Sequence, residues 1–260
     1  MDTAQIMQAY NQFERRQLTP AGGEIIVAPH LVKFVSDTEY GSFISFFDFS
    51  SHQAGPFIQQ EIEFFTRCKR NFEWKTYSTD SPSDIGMRLI EHGFVPAETE
   101  TFMALDLLLV PSVPPQSITV TDVTEEGGIR DAITVQEQVW GQNFDGQFAY
   151  LLNMKRLSPE MISIYVVYVE GTPVASAWII FTPNSPFGGI WGGSTLEAFR
   201  GQGYYTAMLN ARIAEAKARG KRYLIIDASD MSRPIVTKYG FQVIAQTIGY
   251  HYQVETEGKA

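Results

Sequence analysis

The sequence predicts a mixed α/β protein made of two similar halves in tandem, and three observations carry that prediction. First, strands rich in β-branched and aromatic residues alternate with helix-length amphipathic segments along the 260 residues. Second, a module recurs. A strand at 72–77, a short helix, Gly93-Phe94 and a further strand reappear as a strand at 223–228, a short helix, Gly240-Phe241 and a final strand. Third, the segment 110–115 between the halves carries three prolines, the composition of a stiff linker. The expected domains are 1–110 and 117–260, joined by a linker at 111–116.

In the first half, 4–18 has helical spacing, with Ile6, Tyr10 and Phe13 on one side, and Pro20-Ala21-Gly22-Gly23 ends it. Strands are expected at 24–28, 31–35 and 42–49, then a loop at 50–55 and a helix at 57–70 with Ile58, Ile62 and Phe65 inward. The strand 72–77, a helix at 83–91 capped by Ser83, and a strand at 101–109 complete this half. The second half opens with a strand at 118–123 and helices at 126–140 and 148–157. A hairpin joins 162–169 to 174–181 through Glu170-Gly171-Thr172-Pro173. The helix 206–219 turns Leu209, Ile213 and Ala216 to the core and stops at Gly220. A strand at 223–227, a helix at 233–239 and a strand at 247–254, expected to close the sheet of this half, follow.

Composition narrows the function. Hydrophobic residues are 44% and charged residues 19%, the balance of a soluble globular protein. A net charge of -9 argues against a general nucleic-acid binder and mildly favours cationic acceptors such as amines. Cys68 is the sole cysteine, so no internal disulfide forms, in keeping with a reducing cytosol. His30, His52, His92 and His251 are scattered without metal-ligand spacing, so no metal is expected. Residues 1–18 do not resemble a signal peptide, and no apolar run is long enough to span a membrane. The expectation is a cytoplasmic monomer or homodimer with no nucleic-acid or membrane partner.

The stretch with the most chemistry runs from Gly188 to Asp227. Gly188-Gly189-Ile190-Trp191-Gly192-Gly193-Ser194-Thr195-Leu196 reads as a strand, and Arg200-Gly201-Gln202-Gly203-Tyr204-Tyr205 as a loop opening onto the helix. The first turn of a helix presents unpaired N–H groups and the positive end of the dipole. Gly201 and Gly203 remove side chains that would hold a phosphate away, and Arg200 adds a forked cation. The residues alone point to a phosphate-bearing small molecule. Gly201-x-Gly203 before a helix, with Asp227 ending the next strand, also suggests a dinucleotide fingerprint. Against it, Thr206 stands at the third small position and the glycines lie several residues past the strand. Gly192-Gly193 suits a bulge that splays this strand from its neighbour.

Arg200 to Tyr205, with a strand before, a long helix after, then a strand and a short helix ending in Gly240-Phe241, resembles the Arg/Gln-x-x-Gly-x-Gly/Ala loop of the GNAT acyltransferase superfamily. The resemblance covers 118–254 and implies tandem GNAT-like domains, the first degenerate. It implies an acetyl-coenzyme A dependent N-acetyltransferase acting on an amine of a small molecule or peptide by direct attack. A coenzyme-A-binding sensor without turnover is the alternative. Arg200, Gly201, Gln202, Gly203, Tyr204, Tyr205 and Thr206 would hold the pyrophosphate, and Gly193, Ser194 and Thr195 the pantetheine arm. Ser229 stands where the family often has an asparagine bonded to that arm, and Ser232 lies beside it.

The sequence departs from the family pattern in three places. Tyr205 replaces the usual glycine or alanine, so its ring must point away from the pyrophosphate. Val236 occupies the place of the family's acid tyrosine. Residues 190–196 hold no carboxylate base. The catalytic residues are therefore unassigned, with Tyr239 and Asp145 as the candidates. In the first half Ser50 to Pro56 replaces the loop without its arginine or paired glycines, so coenzyme binding is expected in the second half only.

Overall fold

A computed structural model describes residues 2–18, 22–111 and 117–254. The described residues divide into two units that do not follow the two halves of the chain. The N unit comprises those within Asp2–Met103, Asp227–Val236 and Val243–Ala260, and the C unit those within Ala104–Ile226 and Thr237–Gln242.

In the N unit, α1 (Thr3–Tyr10) starts at Asp2, whose Oδ1 accepts from the N–H groups of Ala4 and Gln5 at 3.0 and 3.2 Å. A wide π-helical turn, Asn11–Arg16, continues it. The extra residue in that turn swings Arg15 into the interior, and Phe13, expected inward, is only half-buried. Arg15 forms a two-pronged pair with Asp80 at 2.7 and 2.8 Å and donates from Nε to the Ser45 carbonyl at 2.7 Å. A buried cation needs such complete pairing.

Strands β1 (Gly23–Ala28), β2 (Leu31–Ser36) and β3 (Ser42–Phe47) pair antiparallel in sequence. Helix α2 (Ser51–Cys68) then leads to β4 (Phe72–Tyr77), which pairs parallel with β3 over three residues. α2 begins where a loop is expected at 50–55, because Gln53 Oε1 folds back to accept from the Ser50 N–H at 3.1 Å and Ser50 Oγ at 2.6 Å. Pro56 fits inside it because the carbonyl it leaves unpaired, that of His52, sits in the exposed first turn. α3 (Ile85–Glu91), the two-residue β5 (Val95–Pro96) and β6 (Glu100–Asp106) follow.

In the C unit, β7 is only Thr121–Asp122, shorter than the strand expected at 118–123. It is an edge strand, paired on one side with β8 (Ile162–Val169), so little extends it. α4 (Glu126–Trp140) and α5 (Asp145–Leu157) lie between them in sequence. The hairpin of β8 and β9 (Thr172–Ile180) leads to β10 (Phe187–Thr195), α6 (Tyr204–Ala218), β11 (Tyr223–Ala228), α7 (Arg233–Lys238) and β12 (Gln242–Tyr252).

The strand pattern of one unit repeats in the other. β8, β9 and β10 pair antiparallel, and β10 meets β11 parallel over three residues, as β3 meets β4. The expectation that 247–254 closes the sheet of the second half is overturned. β12 pairs antiparallel with β4, Thr247 facing Tyr77 and Tyr252 facing Phe72. The reason is packing: Tyr250 joins Trp74, Phe65, Leu89 and Phe94 in the N-unit core. In the C unit the flank of β11 is taken by Ala104–Asp106 of β6. There Arg222 Nη2 reaches Asp106 at 2.7 Å, and the Leu107 N–H donates to the Arg222 carbonyl at 3.0 Å. Each unit thus takes one strand from the other half of the chain.

The linker expected at 111–116 lies, beyond Pro111, outside the described residues. Among the described residues no helix is long and apolar enough to cross a membrane.

Candidate functional site

β10 pairs with β11 only from Phe187 to Gly189. Beyond that point β10 stays with β9, and its register shifts between Trp191 and Ser194. The bulge falls on Gly192 and Gly193. Gly192 has φ +59°, and a methyl group built on it would lie 2.0 Å from the Trp178 ring. One built on Gly193 would lie 2.8 Å from the Tyr205 ring. Two aromatic rings thus fill the places that side chains would need, and only glycines fit.

α4 holds the bulge in place. Gln136 Nε2 donates to the Gly192 carbonyl at 2.6 Å and to Ser176 Oγ at 2.7 Å, and Ser194 Oγ donates to Gln136 Oε1 at 2.9 Å. Ser194 is buried and its hydroxyl is committed to Gln136, so only its backbone is left for a ligand. Thr195 Oγ1 is buried without a partner among the described residues.

The loop after β10 passes through a 3₁₀ turn, Glu197–Phe199, to Arg200, which is exposed and donates from Nε to the Thr195 carbonyl at 3.2 Å. Gly201 and Gly203 have φ +74° and +88°, a conformation that favours glycine. A methyl group on Gly201 would meet nothing within 4 Å, so its face is open. Gly203 precedes the first residue of α6, and no side chain caps that helix start. The N–H groups of Tyr204, Tyr205 and Thr206 form its first turn. Gln202 Nε2 donates to the Ala198 carbonyl at 3.3 Å and Tyr204 Oη to Gln202 Oε1 at 3.3 Å, which ties the loop to itself.

Tyr205 turns its ring inward against Gly193, and burial pushes its phenol up while the Arg212 guanidinium opposes the shift. Its bulk is therefore kept from the open face of the loop. Arg212 is 1% exposed; burial lowers it, and its Nη2 finds no acceptor among the described residues. Gln136, Trp178 and Arg212 escape sequence reading. Their signals were a polar residue on the apolar stripe of α4 with Ile129 and Ile133, and a cation one turn after buried Met208.

The N unit handles the equivalent place differently. The start of α2 is closed by Ser50 and Gln53, and Ser51 accepts from Arg88 Nη2 at 2.7 Å.

The remaining sequence candidates lie apart from the loop in the chain. Ser229 and Ser232 belong to the N unit, where their hydroxyls sit 3.3 Å apart. Tyr239 follows α7 and is half-buried, while Val236 is fully buried. Asp145 opens α5 and accepts from Asn143 Nδ2 at 2.8 Å and Arg130 Nη1 at 3.1 Å. Those partners, Asn143 first, hold its carboxyl below the usual range, which makes it a weak base. No group of His, Cys, Asp and Glu that would hold a metal ion occurs among the described residues.

A splayed strand pair, an open glycine loop and an uncapped helix start come together in this α/β domain, and an uncapped helix start is a geometry that suits an anion. Residues 131–241 match the family model described as acetyltransferase (GNAT) family. No curated protein sequence matches the chain at a significant level. Solved structures match it along nearly its whole length. A GCN5-related N-acetyltransferase from Kribbella flavida aligns at 17% identity and TM-score 0.68, over 96% of this chain and 95% of its own. One from Sphaerobacter thermophilus aligns at 18% identity and TM-score 0.60, over 99% and 87%. A tandem GNAT protein from the clavulanic acid biosynthesis pathway aligns at 12% identity and TM-score 0.60, over 97% and 88%. At such identities the likeness is one of fold. Residues 131–241 belong to the GNAT acetyltransferase family, and the fold is a mixed α/β pair of GNAT-like domains.

Proposed function

We propose that the chain is an acetyl-coenzyme A dependent N-acetyltransferase that acetylates an amine of a small molecule or peptide, with the C unit as its coenzyme-binding part and residues 1–110 as a degenerate repeat. The observation that carries this reading is the open start of α6 behind two left-handed glycines, set against the closed start of α2. The N–H groups of Tyr204 to Thr206 would bind the pyrophosphate, with Arg200 at the rim. The bulge at Gly192 and Gly193 would free backbone groups for the amides of the pantetheine arm.

Acetyl-coenzyme A supplies the thioester. A neutral amine attacks its carbonyl carbon, the C–S bond breaks, and the amine nitrogen loses a proton to solvent. No acyl-enzyme is required, and Cys68 lies in the N unit. Release of coenzyme-A thiol across a panel of primary amines tests the reading. Turnover with any amine ends the alternative of a sensor without turnover; binding of acetyl-coenzyme A with no turnover across the panel supports that alternative.

Tyr239→Phe is expected to change the turnover rate less than about tenfold, because a thiol with a pKa near 8.5 leaves without a dedicated acid. A drop of roughly a hundredfold with coenzyme still bound would make Tyr239 the acid.

A further inference from the structure

We propose that the N unit carries a binding site for an organic ammonium ion, centred on Asp227. The inference does not rest on acetyl transfer. β4 alternates its side chains: Phe72 and Trp74 pack into the core, while Glu73, Lys75 and Tyr77 occupy the opposite face. Tyr10 of α1 and Glu100 of β6 gather on that face, Tyr10 with its ring on Phe102 and its hydroxyl 2.8 Å from that of Tyr77. Asp227 enters the same cluster from the end of β11 and pairs with Lys75 Nζ through one oxygen, Oδ2.

The other oxygen carries the argument. The Asp227 side chain is 3% exposed, and its Oδ1 is buried with no hydrogen-bond partner among the described residues. A buried carboxylate oxygen without a donor is costly. The charge around it selects the donor. Glu73, Glu98, Glu100 and Asp227 stand against Lys75, and Arg15 is already committed to Asp80. Gly249, opposite Lys75 on β12, lets the Glu73 carboxyl lie down over that strand; a methyl group there would stand 3.0 Å from Glu73 Oε1. A positively charged N–H donor with a short organic body suits carboxylates flanked by the rings of Tyr10, Tyr77 and Phe102.

Glu100 makes the site sensitive to pH. Burial, then Asp227, pushes its carboxyl up to about 7. An incoming cation favours the ionised form, so binding expels a proton where Glu100 is still protonated and tightens as pH rises through 7. The groups around it are Asp227, Lys75, Glu73 and Glu98, and beside Asp227 stand Tyr10 and Tyr77, both raised by burial. His251 pairs across from Glu73 on β12.

The test is calorimetric titration of the full-length protein with n-butylamine at pH 6 and pH 8, without acetyl-coenzyme A. Its ammonium, like that of lysine, stays charged throughout. Binding is expected to be about fivefold or more tighter at pH 8, with 1-butanol failing to bind. Asp227→Asn should weaken binding about tenfold or more. Glu100→Gln should keep binding but abolish its pH dependence. It leaves the Lys75–Asp227 pair intact, so it decides the matter if Asp227→Asn does not fold. Failure of the amine to bind, equal binding at both pH values, or pH dependence surviving in Glu100→Gln overturns the proposal. So does preferential binding of magnesium or calcium ions.

Discussion

Gly203→Val is expected to remove most of the affinity of this protein for acetyl-coenzyme A. Gly203 sits at φ +88°, ψ 0°, one residue before α6. A β-branched residue there costs about 1–3 kcal/mol of strain or forces the loop to another course. A methyl group there would lie 3.5 Å from Ile118 Cδ1, an ordinary contact, so the strain of the backbone is what would displace the loop and the N–H groups at the start of α6. Arg200→Ala should leave the loop in place and cost about 1.5–3 kcal/mol of binding, the usual size of a charge-assisted hydrogen bond. Isothermal titration with acetyl-coenzyme A measures both. Unchanged affinity in both variants would take the loop out of the site.

A chain ending at Phe241 is expected to lose the folded N unit although it retains all of residues 2–103. β12 supplies six registered partners to β4, from Thr247 to Tyr252. It also places Tyr250 in the N-unit core, with its hydroxyl 2.1 Å from where a methyl on Gly86 would stand, so α3 is fitted to that ring. Tyr250→Ala alone should cost about 3–5 kcal/mol, as for other large aromatic truncations. Loss of the whole strand exceeds that, against a typical total of about 5–15 kcal/mol. Hydrogen exchange at the β4 amides reads the result. Protection of Phe72 to Tyr77 in the truncated chain would show that the N unit stands without β12.

Most elements were legible because their signals are local. The hairpin at Glu170-Gly171, the helix from Glu126 to Trp140 and the strand from Ile162 to Val169 announce themselves through turn residues and periodicity. The glycine loop was legible because a left-handed backbone leaves a compositional mark at Gly201 and Gly203. The early start of α2 was hidden because Gly55 and Pro56 look like breakers, and the Ser50–Gln53 cap acts through a side chain. The partner of β12 was not legible at all. Val243 to Tyr252 has the pattern of a half-buried strand wherever it pairs, and only the fit of Tyr250 and Gly249 against Gly86, Glu73 and Lys75 decides the register. Gln136 and Arg212 stayed hidden because a polar residue on an apolar helix face does not say what it will meet.

The strand exchange also sets an order of events during synthesis. β1 to β4 leave the ribosome early, but the neighbour that β4 needs is made after α7. At roughly 5–20 residues per second, the interval is on the order of ten seconds or more. Throughout it the edge from Phe72 to Tyr77 has no β12 beside it, and a bare strand edge invites pairing with other chains. Completion of the N unit therefore waits on a strand made well after β4, and ribosomes that stall in between release chains whose N unit lacks it.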